Sequence, residues 1–446
     1  MTGISDLPYP VKWLIVGAMI GAVAGASALI FYLMLKLTTY LFMDLIVGYK
    51  QPEPPGLGGS TTYIIHVGKP WLIPVSTVLG AVIVGYLAAR FREARAGLDN
   101  IIEAYHHRRK PFSNALVGGL MTAILSAITI GSGGSAGPEA PTGNLGASLS
   151  YLIAEKLGLT DDDRAIAMVS GMGAALGAIF KAPIGGALLA SEILYRRDFE
   201  PVVLYPALIS SIMAYLIFCI VTGFKPYLGT INAATPPQTL PIYVLLGIID
   251  GAMAIVYIEA LDHVGKAFGK LRVNYVVKAV IGGLIVGIIG ILAPQILGGG
   301  DGWIGVSARA YLMNFTSAVL PVLILIIALP ALKAIATATT LGSGGVGGVF
   351  APGLTVGAFT GLAFWLLIHT ITPSLAPSPA PFIIVSTAAT FSAASNAPIA
   401  IMAMVLEMVN DYQVIPSMAI ATATAYLITT WRYTVFKAQR INRRDI

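Results

Sequence analysis

The chain has 446 residues, of which 56% are hydrophobic and 11% charged, with a formal net charge of +6. A soluble domain carries roughly a quarter charged residues to cover its surface, so this composition excludes a water-soluble fold and points to helices facing lipid. The basic excess does not mark a nucleic-acid binder, because Lys and Arg cluster at the ends of apolar runs, as the positive-inside rule expects of cytoplasmic loops.

Apolar stretches follow one another along the chain at 11–42, 71–90, 115–130, 163–180, 201–222, 241–261, 276–297, 316–337, 355–372, 380–409 and 416–431. Several reach the ~20 residues that a spanning helix needs; others are shorter or broken by Gly and Pro. The run starting at Val11 is too long for the apolar region of a signal peptide, and no small-residue cleavage site follows it. Arg90, Arg92, Arg95, His107–Lys110, Arg196–Arg197, Lys266–Lys278 and Lys437–Arg444 flank apolar runs and define a cytoplasmic side that includes the C-terminus. The Pro- and Gly-rich stretch 51–70, nearly free of Lys and Arg, belongs outside. The adjacent pair His106–His107 reads as part of a basic loop rather than a metal site. Cys219, the single cysteine, lies in an apolar run and has no intrachain partner.

An internal repeat organises the chain. GSGGSAGPEAPTGNLGA (131–147) and GSGGVGGVFAPGLTVGA (342–358) agree at 9 of 17 positions at an offset of 211. Each is followed by a second related pair, KAPIGGALLASEI (181–193) and NAPIAIMAMVLEM (396–408), in which Pro183 and Pro398 precede Glu192 and Glu407 by nine residues. Two pairs in the same order imply a duplication, with halves near 1–230 and 231–446.

In lipid, backbone that is not helical must be satisfied by protein or water, so Gly-rich breaks at membrane depth line cavities. A GSGG run leading into Ala-Pro and an apolar stretch reads as a loop followed by a helix start. Helix N-termini present free N–H groups and about half a positive charge, which favours anions. Two such termini meeting near the midplane form an anion site, the layout of repeat transporters built from broken helices. A nucleotide-binding glycine loop is the rival reading, but no strand precedes either run and no GK[ST] follows.

Glu139 is the first candidate for chemistry. It sits in the Gly-rich start of half one where half two has Phe350, and a carboxylate inside a membrane is functional by default. Beside amide donors it would hold the anion's place, block the path, and swing away when protonated. Glu192 and Glu407 occupy equivalent places in the halves, which argues for a shared structural task such as pairing with helix-end donors. Glu259 and Asp262 belong near the aqueous end of their run, and the sequence does not place Asp250. Lys181 and Lys333 either add positive field along the path or snorkel to the interface. No HExxH, no paired membrane aspartates and no nucleophile elbow is present, so neither an enzyme nor a bound cofactor is expected.

These residues resemble the CLC family of anion channels and transporters over nearly the whole chain. GPEAP (137–141) is similar to its G-[KR]-E-G-P signature, with Pro138 and Ala140 as departures, and the resemblance makes Glu139 the external gating glutamate. GVFAP (348–352) fits G-x-F-x-P and implies that the Phe350 and Ala351 amides coordinate the anion, in a site formed with Gly137, Pro138, Gly348 and Val349. LEMVNDYQVIPSM (406–418) also resembles a family segment. Three positions depart from the antiporter pattern. The central serine falls on Ala96, and the central tyrosine falls on Phe436 in TVFKAQ (434–439), with Tyr433 close by. The internal proton-transfer glutamate falls on Ile193, a residue type seen at that place in the family's channels.

The resemblance implies an all-α integral membrane protein of two inverted repeats, with roughly fifteen or more tilted, often incomplete helices, pairing as a homodimer with one pore per subunit. It implies chloride/proton antiport gated by Glu139, with a passive voltage- or proton-gated chloride channel as the alternative. The chain stops soon after the last core segment, so the cytoplasmic regulatory domains of many eukaryotic members are not expected, and a prokaryotic inner membrane is.

Overall fold

Residues 4–60, 63–95, 97–309 and 320–444 are described by the computed structural model. The chain folds as helices in a symmetrical order. The first eight are α1 (Tyr9–Thr39), α2 (Ile73–Arg90), α3 (Asp99–His106), α4 (Ala115–Gly131), α5 (Glu139–Lys156), α6 (Asp161–Ile179), α7 (Pro183–Glu192) and α8 (Pro201–Thr222). The next eight are α9 (Leu240–Lys270), α10 (Tyr275–Leu292), α11 (Asp301–Ala308), α12 (Leu320–Gly342), α13 (Phe350–Ile371), α14 (Ala380–Ser395), α15 (Pro398–Val409) and α16 (Ile415–Thr429). The two series match in length at their starts: α1 and α9 have 31 residues each, α2 and α10 have 18, and α3 and α11 have 8.

Reciprocal hydrogen bonds make the inverted repeat visible. Gly137 and Gly348 donate their N–H groups to each other's carbonyls, both at 2.9 Å. Ser135 N–H donates to Thr340 Oγ1 at 3.0 Å, while Val346 N–H donates to Thr129 Oγ1 at 3.2 Å. Residues 129, 135 and 137 map onto 340, 346 and 348 at the sequence offset of 211, so the same contacts are made twice about a pseudo-twofold axis.

Among the described residues, seven helices are long and apolar enough to cross a membrane, and α4, α14, α15 and α16 are shorter apolar ones. α14 is buried along its whole length, and α6 from Ala165 onward, whereas α2, α8 and α10 expose rows of Leu, Ile and Val. Hydrophobicity alone therefore does not separate inside from outside here, and the buried helices α6 and α14 are rich in small residues. Small residues let helix axes approach closely in lipid. A Cβ on Gly173 would lie 2.4 Å from the Gly186 carbonyl oxygen, where α6 crosses α7. Hydroxyls buried among these helices close onto the carbonyl four residues back, as Thr122, Ser210, Thr337 and Thr387 do.

The apolar run 380–409 is not one span. Asn396 adopts φ 55° and ends α14, after which Pro398 opens α15. Lys181 repeats this turn between α6 and α7 with φ 53°. The N-terminal run continues past α1 as a π-helical segment, Tyr40–Val47.

Candidate functional site

The two GSGG runs fold as tight turns, with Gly133 and Gly344 at φ 102° and 111°, and lead into α5 and α13. Both helices begin deep in the protein, and their first turns carry no capping side chain. Their free N–H groups therefore converge on one buried place. The Glu139 carboxylate occupies it, 1% exposed. Its Oε1 accepts from Phe350 N–H at 2.5 Å and its Oε2 lies 3.4 Å from Ala351 N. A negative group from one half thus sits on the N-terminus of the helix from the other.

The seat has no room to spare. A Cβ on Gly348 would lie 1.7 Å from Glu139 Oε1, and one on Gly137 would lie 2.0 Å from Oε2. Glycine at both positions is the condition for a carboxylate, or an anion in its place, to approach the backbone. Pro138 precedes the helix and its carbonyl accepts from both Thr142 N–H and Thr142 Oγ1. The Val349 carbonyl, at the start of α13, accepts from the Tyr257 hydroxyl at 2.7 Å. The Phe350 ring packs between Phe180 and Phe391, with centroids at 5.3 and 4.5 Å.

Opposing contributions of similar size act on the seated carboxylate. Each hydrogen bond to a charged acceptor is worth about 1.5–3 kcal/mol, and a helix N-terminus adds up to ~2 kcal/mol. Taking a carboxylate out of water costs several kcal/mol. The gain from the donors and the cost of burial are therefore of the same order.

The remaining candidates are distributed as follows. Ala96 lies outside the described residues. Gly97 and Leu98 follow it and pack on α5: Asn144 Nδ2 reaches the Gly97 carbonyl at 3.4 Å, and Leu98 lies beside Gly143. Phe436 is buried and presents no hydroxyl. Its segment is fixed by Val435 N–H on the Ala394 carbonyl and by Ala438 N–H on Asp99 Oδ1 at 2.8 Å. Tyr433 is half-buried, and its carbonyl accepts from Asn396 Nδ2. Ile193 is fully buried at the end of α7.

Glu192 and Glu407 cap each other's helices. Glu192 accepts from Ile399 and Ala400 N–H at the start of α15, at 3.2 and 2.7 Å. Glu407 accepts from Ile184 and Gly185 N–H at the start of α7, at 3.0 and 2.7 Å. Neither lysine snorkels. Lys181 is held by the Gly56, Thr222 and Gly223 carbonyls, and Lys333 by those of Ile296 and Gly298. Both hold together the loops at the end opposite the basic clusters. Asp250 is buried in α9 and accepts from the Ser386 and Thr390 hydroxyls of α14. Glu259 and Asp262 lie at the aqueous end of α9, paired with His263 and Lys266. His106 turns Nε2 to the Leu194 carbonyl at 3.0 Å.

Tyr257 was not legible as a site residue, because a single Tyr in an apolar run carries no signal of its own. Asp301 was also missed, although an acid in the Gly-rich GGGDGW run (298–303) is a detectable anomaly. It opens α11 and accepts from the Tyr227 hydroxyl at 2.6 Å.

Comparison with known proteins agrees with this architecture. The profile described as voltage gated chloride channel matches residues 80–430. An uncharacterized protein of Methanocaldococcus jannaschii is 26% identical, covering 96% of this chain and 95% of its own length. The H(+)/Cl(-) exchange transporter ClcA of Vibrio vulnificus is 26% identical over 94% of this chain and 86% of its own. Among solved structures, a slow cyanobacterial Cl-/H+ antiporter superposes with a TM-score of 0.76 at 22% identity, covering 95% of this chain and 94% of the other. A CLC-type fluoride/proton antiporter does so with 0.76 at 18% identity, over 97% and 98%. The chain is an all-helical membrane protein with the CLC fold, and it belongs to the voltage gated chloride channel family.

Proposed function

We propose that the protein exchanges chloride for protons across a membrane. The observation that carries this reading is the Glu139 carboxylate seated on the Phe350 and Ala351 N–H groups. Chloride competes for that seat, since both are anions satisfied by the same donors. A proton taken up by Glu139 removes its charge and releases it, and the neutral side chain carries the proton as it swings out. Anion and proton thereby use one residue in alternation, which couples their movements. Gly137, Pro138, Gly348 and Val349 shape the seat, and the passage inward runs past Phe436. The protein sits in a prokaryotic cell membrane as a homodimer, with the basic ends and the C-terminus inside. Supporting that orientation, Lys437 pairs with Asp262, Arg443 with Glu200 and Arg108 with Asp162 at one end of the bundle.

One observation favours a second reading. Ile193, at the place of the internal proton-transfer glutamate, is apolar and fully buried, which suits a passive chloride channel with Glu139 as its gate. Chloride efflux and external pH recorded together from reconstituted liposomes separate the two. Protons driven uphill by the chloride gradient support antiport; fast chloride flux without proton movement supports the channel.

A further inference from the structure

Exchange requires that protons reach Glu139 from the basic end as well as from the other side, and Ile193 cannot ionise. The acids near that end are mostly committed. Glu192 has both oxygens on the N–H groups of α15. Asp163 has both on Lys12 at 2.8 Å. Asp162 pairs with Arg108 and Asp161 with Arg164. Glu200 is held between the Tyr195 hydroxyl and Arg443.

Asp99 also accepts from a backbone N–H, but at another place in the bundle. It is the first residue of α3, directly after Leu98, whose side chain lies against Gly143 of α5. Gly143 is one helical turn from Glu139, about 6 Å of rise. Asp99 Oδ1 accepts from Ala438 N–H at 2.8 Å, so the carboxyl joins the start of α3 to the segment that carries Phe436. The start of α3 thus lies beside α5 one turn from Glu139 and is tied to the segment that carries Phe436.

We propose that Asp99 is the inner proton-exchange group of this chain and passes protons toward Glu139 along the route that the anion also uses. In its acid form Asp99 gives the carboxyl proton to water in the passage. That proton forms the O–H bond of Glu139, and the Asp99 carboxylate regains a proton from water at the basic end. One proton moves and no other bond changes. Sharing the route has a consequence. A carboxylate at the passage repels an anion, whereas the neutral acid lets it pass, so anion occupancy and protonation of Asp99 favour each other.

The charged groups around it are few. Lys437 faces it from the C-terminal segment and Glu103 from its own helix. α5 offers Asn144, with no acid between Glu139 and Glu155. Burial outweighs Lys437 and the Ala438 N–H and pushes the carboxyl up to about 6, within the range where it exchanges protons near neutral pH.

This inference rests on the antiport reading, and the two fail separately. If reconstituted wild type moves no protons against a chloride gradient, antiport fails. If it does, Asp99→Asn is compared with it in the same assay. The expected result is a proton-to-chloride ratio at least tenfold lower, restored by Asp99→Glu and unaffected by Glu200→Gln. A wild-type ratio in Asp99→Asn overturns the inference. Should the Asn variant carry neither ion, Asp99→Glu decides: a displaced midpoint in the inner-pH profile of proton flux supports the role, and an unchanged one overturns it.

Discussion

Replacing Glu139 by Gln removes the charge while keeping the shape, and the seat itself sets the expected effect. The carboxylate uses two amide donors, Phe350 and Ala351, worth about 3–6 kcal/mol together at 1.5–3 kcal/mol each. The Gln side chain has one acceptor oxygen, worth about 0.5–1.5 kcal/mol, and its NH2 opposes the second N–H. The bonds that hold the internal competitor are thus weakened by about 2–5 kcal/mol, at most a few thousand-fold in occupancy, less what the neutral amide saves in desolvation. Chloride should bind the purified variant at least tenfold more tightly than wild type at neutral pH, measured by calorimetric titration. In liposomes, chloride-driven proton movement should vanish, because the amide does not titrate. A variant that still pumps protons, or binds chloride no more tightly, would refute the idea that Glu139 and chloride compete for one seat.

Gly348→Ala places a methyl 1.7 Å from Glu139 Oε1, so both the carboxylate and the anion lose the seat. Chloride binding should fall at least tenfold and proton coupling should disappear, while Gly269→Ala, with open space around its Cβ, leaves both intact. Glu192→Ala and Glu407→Ala each uncap a helix and strand a buried donor, at about 1–3 kcal/mol. Thermal unfolding in detergent should show a lower midpoint for each, partly rescued by Gln, and unchanged midpoints would dismiss the capping role. Because the Asp99 carboxyl is raised from its ordinary 3.8 to about 6, it stays protonated further toward neutral pH. Proton-coupled flux should therefore decline as inner pH rises through about 6, and this dependence should be absent in Asp99→Asn. The same shift ties folding to the acid form, so this group's contribution to stability is present at low pH and falls as pH rises from about 4 to 6.

The seat was legible in the sequence because its requirements are severe. A glycine that must admit a carboxylate, a proline tolerated near a helix start and an acid in an apolar setting all leave marks, and duplication wrote most of them twice. The Glu192–Glu407 exchange was legible for the same reason, since only symmetrical tasks keep symmetrical carboxylates. Lipid-facing surfaces leave no such record. α1 and α9 match in length at 31 residues, yet any large apolar side chain serves on their outer faces, and their sequences have drifted apart. The break at Asn396 was hidden because a single residue at positive φ ends α14 without Gly or a polar run. Lys181 and Lys333 were ambiguous because a buried ammonium is stable only where carbonyls converge, and convergence is a property of the folded loops.

The repeat alone does not account for coupled transport; the difference between Glu139 and Phe350 does in the proposed cycle. Across the pseudo-twofold axis, Gly137 matches Gly348, Ala140 matches Ala351 and Pro141 matches Pro352, and the backbones bond to each other reciprocally. Glu139 and Phe350 break the match. Two carboxylates there would face one another across a few ångströms and could not both ionise. Two phenylalanines would leave an anion site with nothing to compete for it and nothing to carry a proton. With one of each, the half bearing Phe350 supplies the donors and its aromatic packing, and the half bearing Glu139 supplies the group that alternates with the anion in the proposed cycle. A double variant that exchanges the two residues, Glu139→Phe with Phe350→Glu, tests this argument directly. The carboxylate would then face the N-terminus of α5, whose free N–H groups make an equivalent seat. Such a protein should move protons with chloride, whereas either single change should not. Coupling absent from the exchanged pair would show that the two helix N-termini are not interchangeable, and that the surroundings of Phe350, including Tyr257, Phe180 and Phe391, set the direction of the seat.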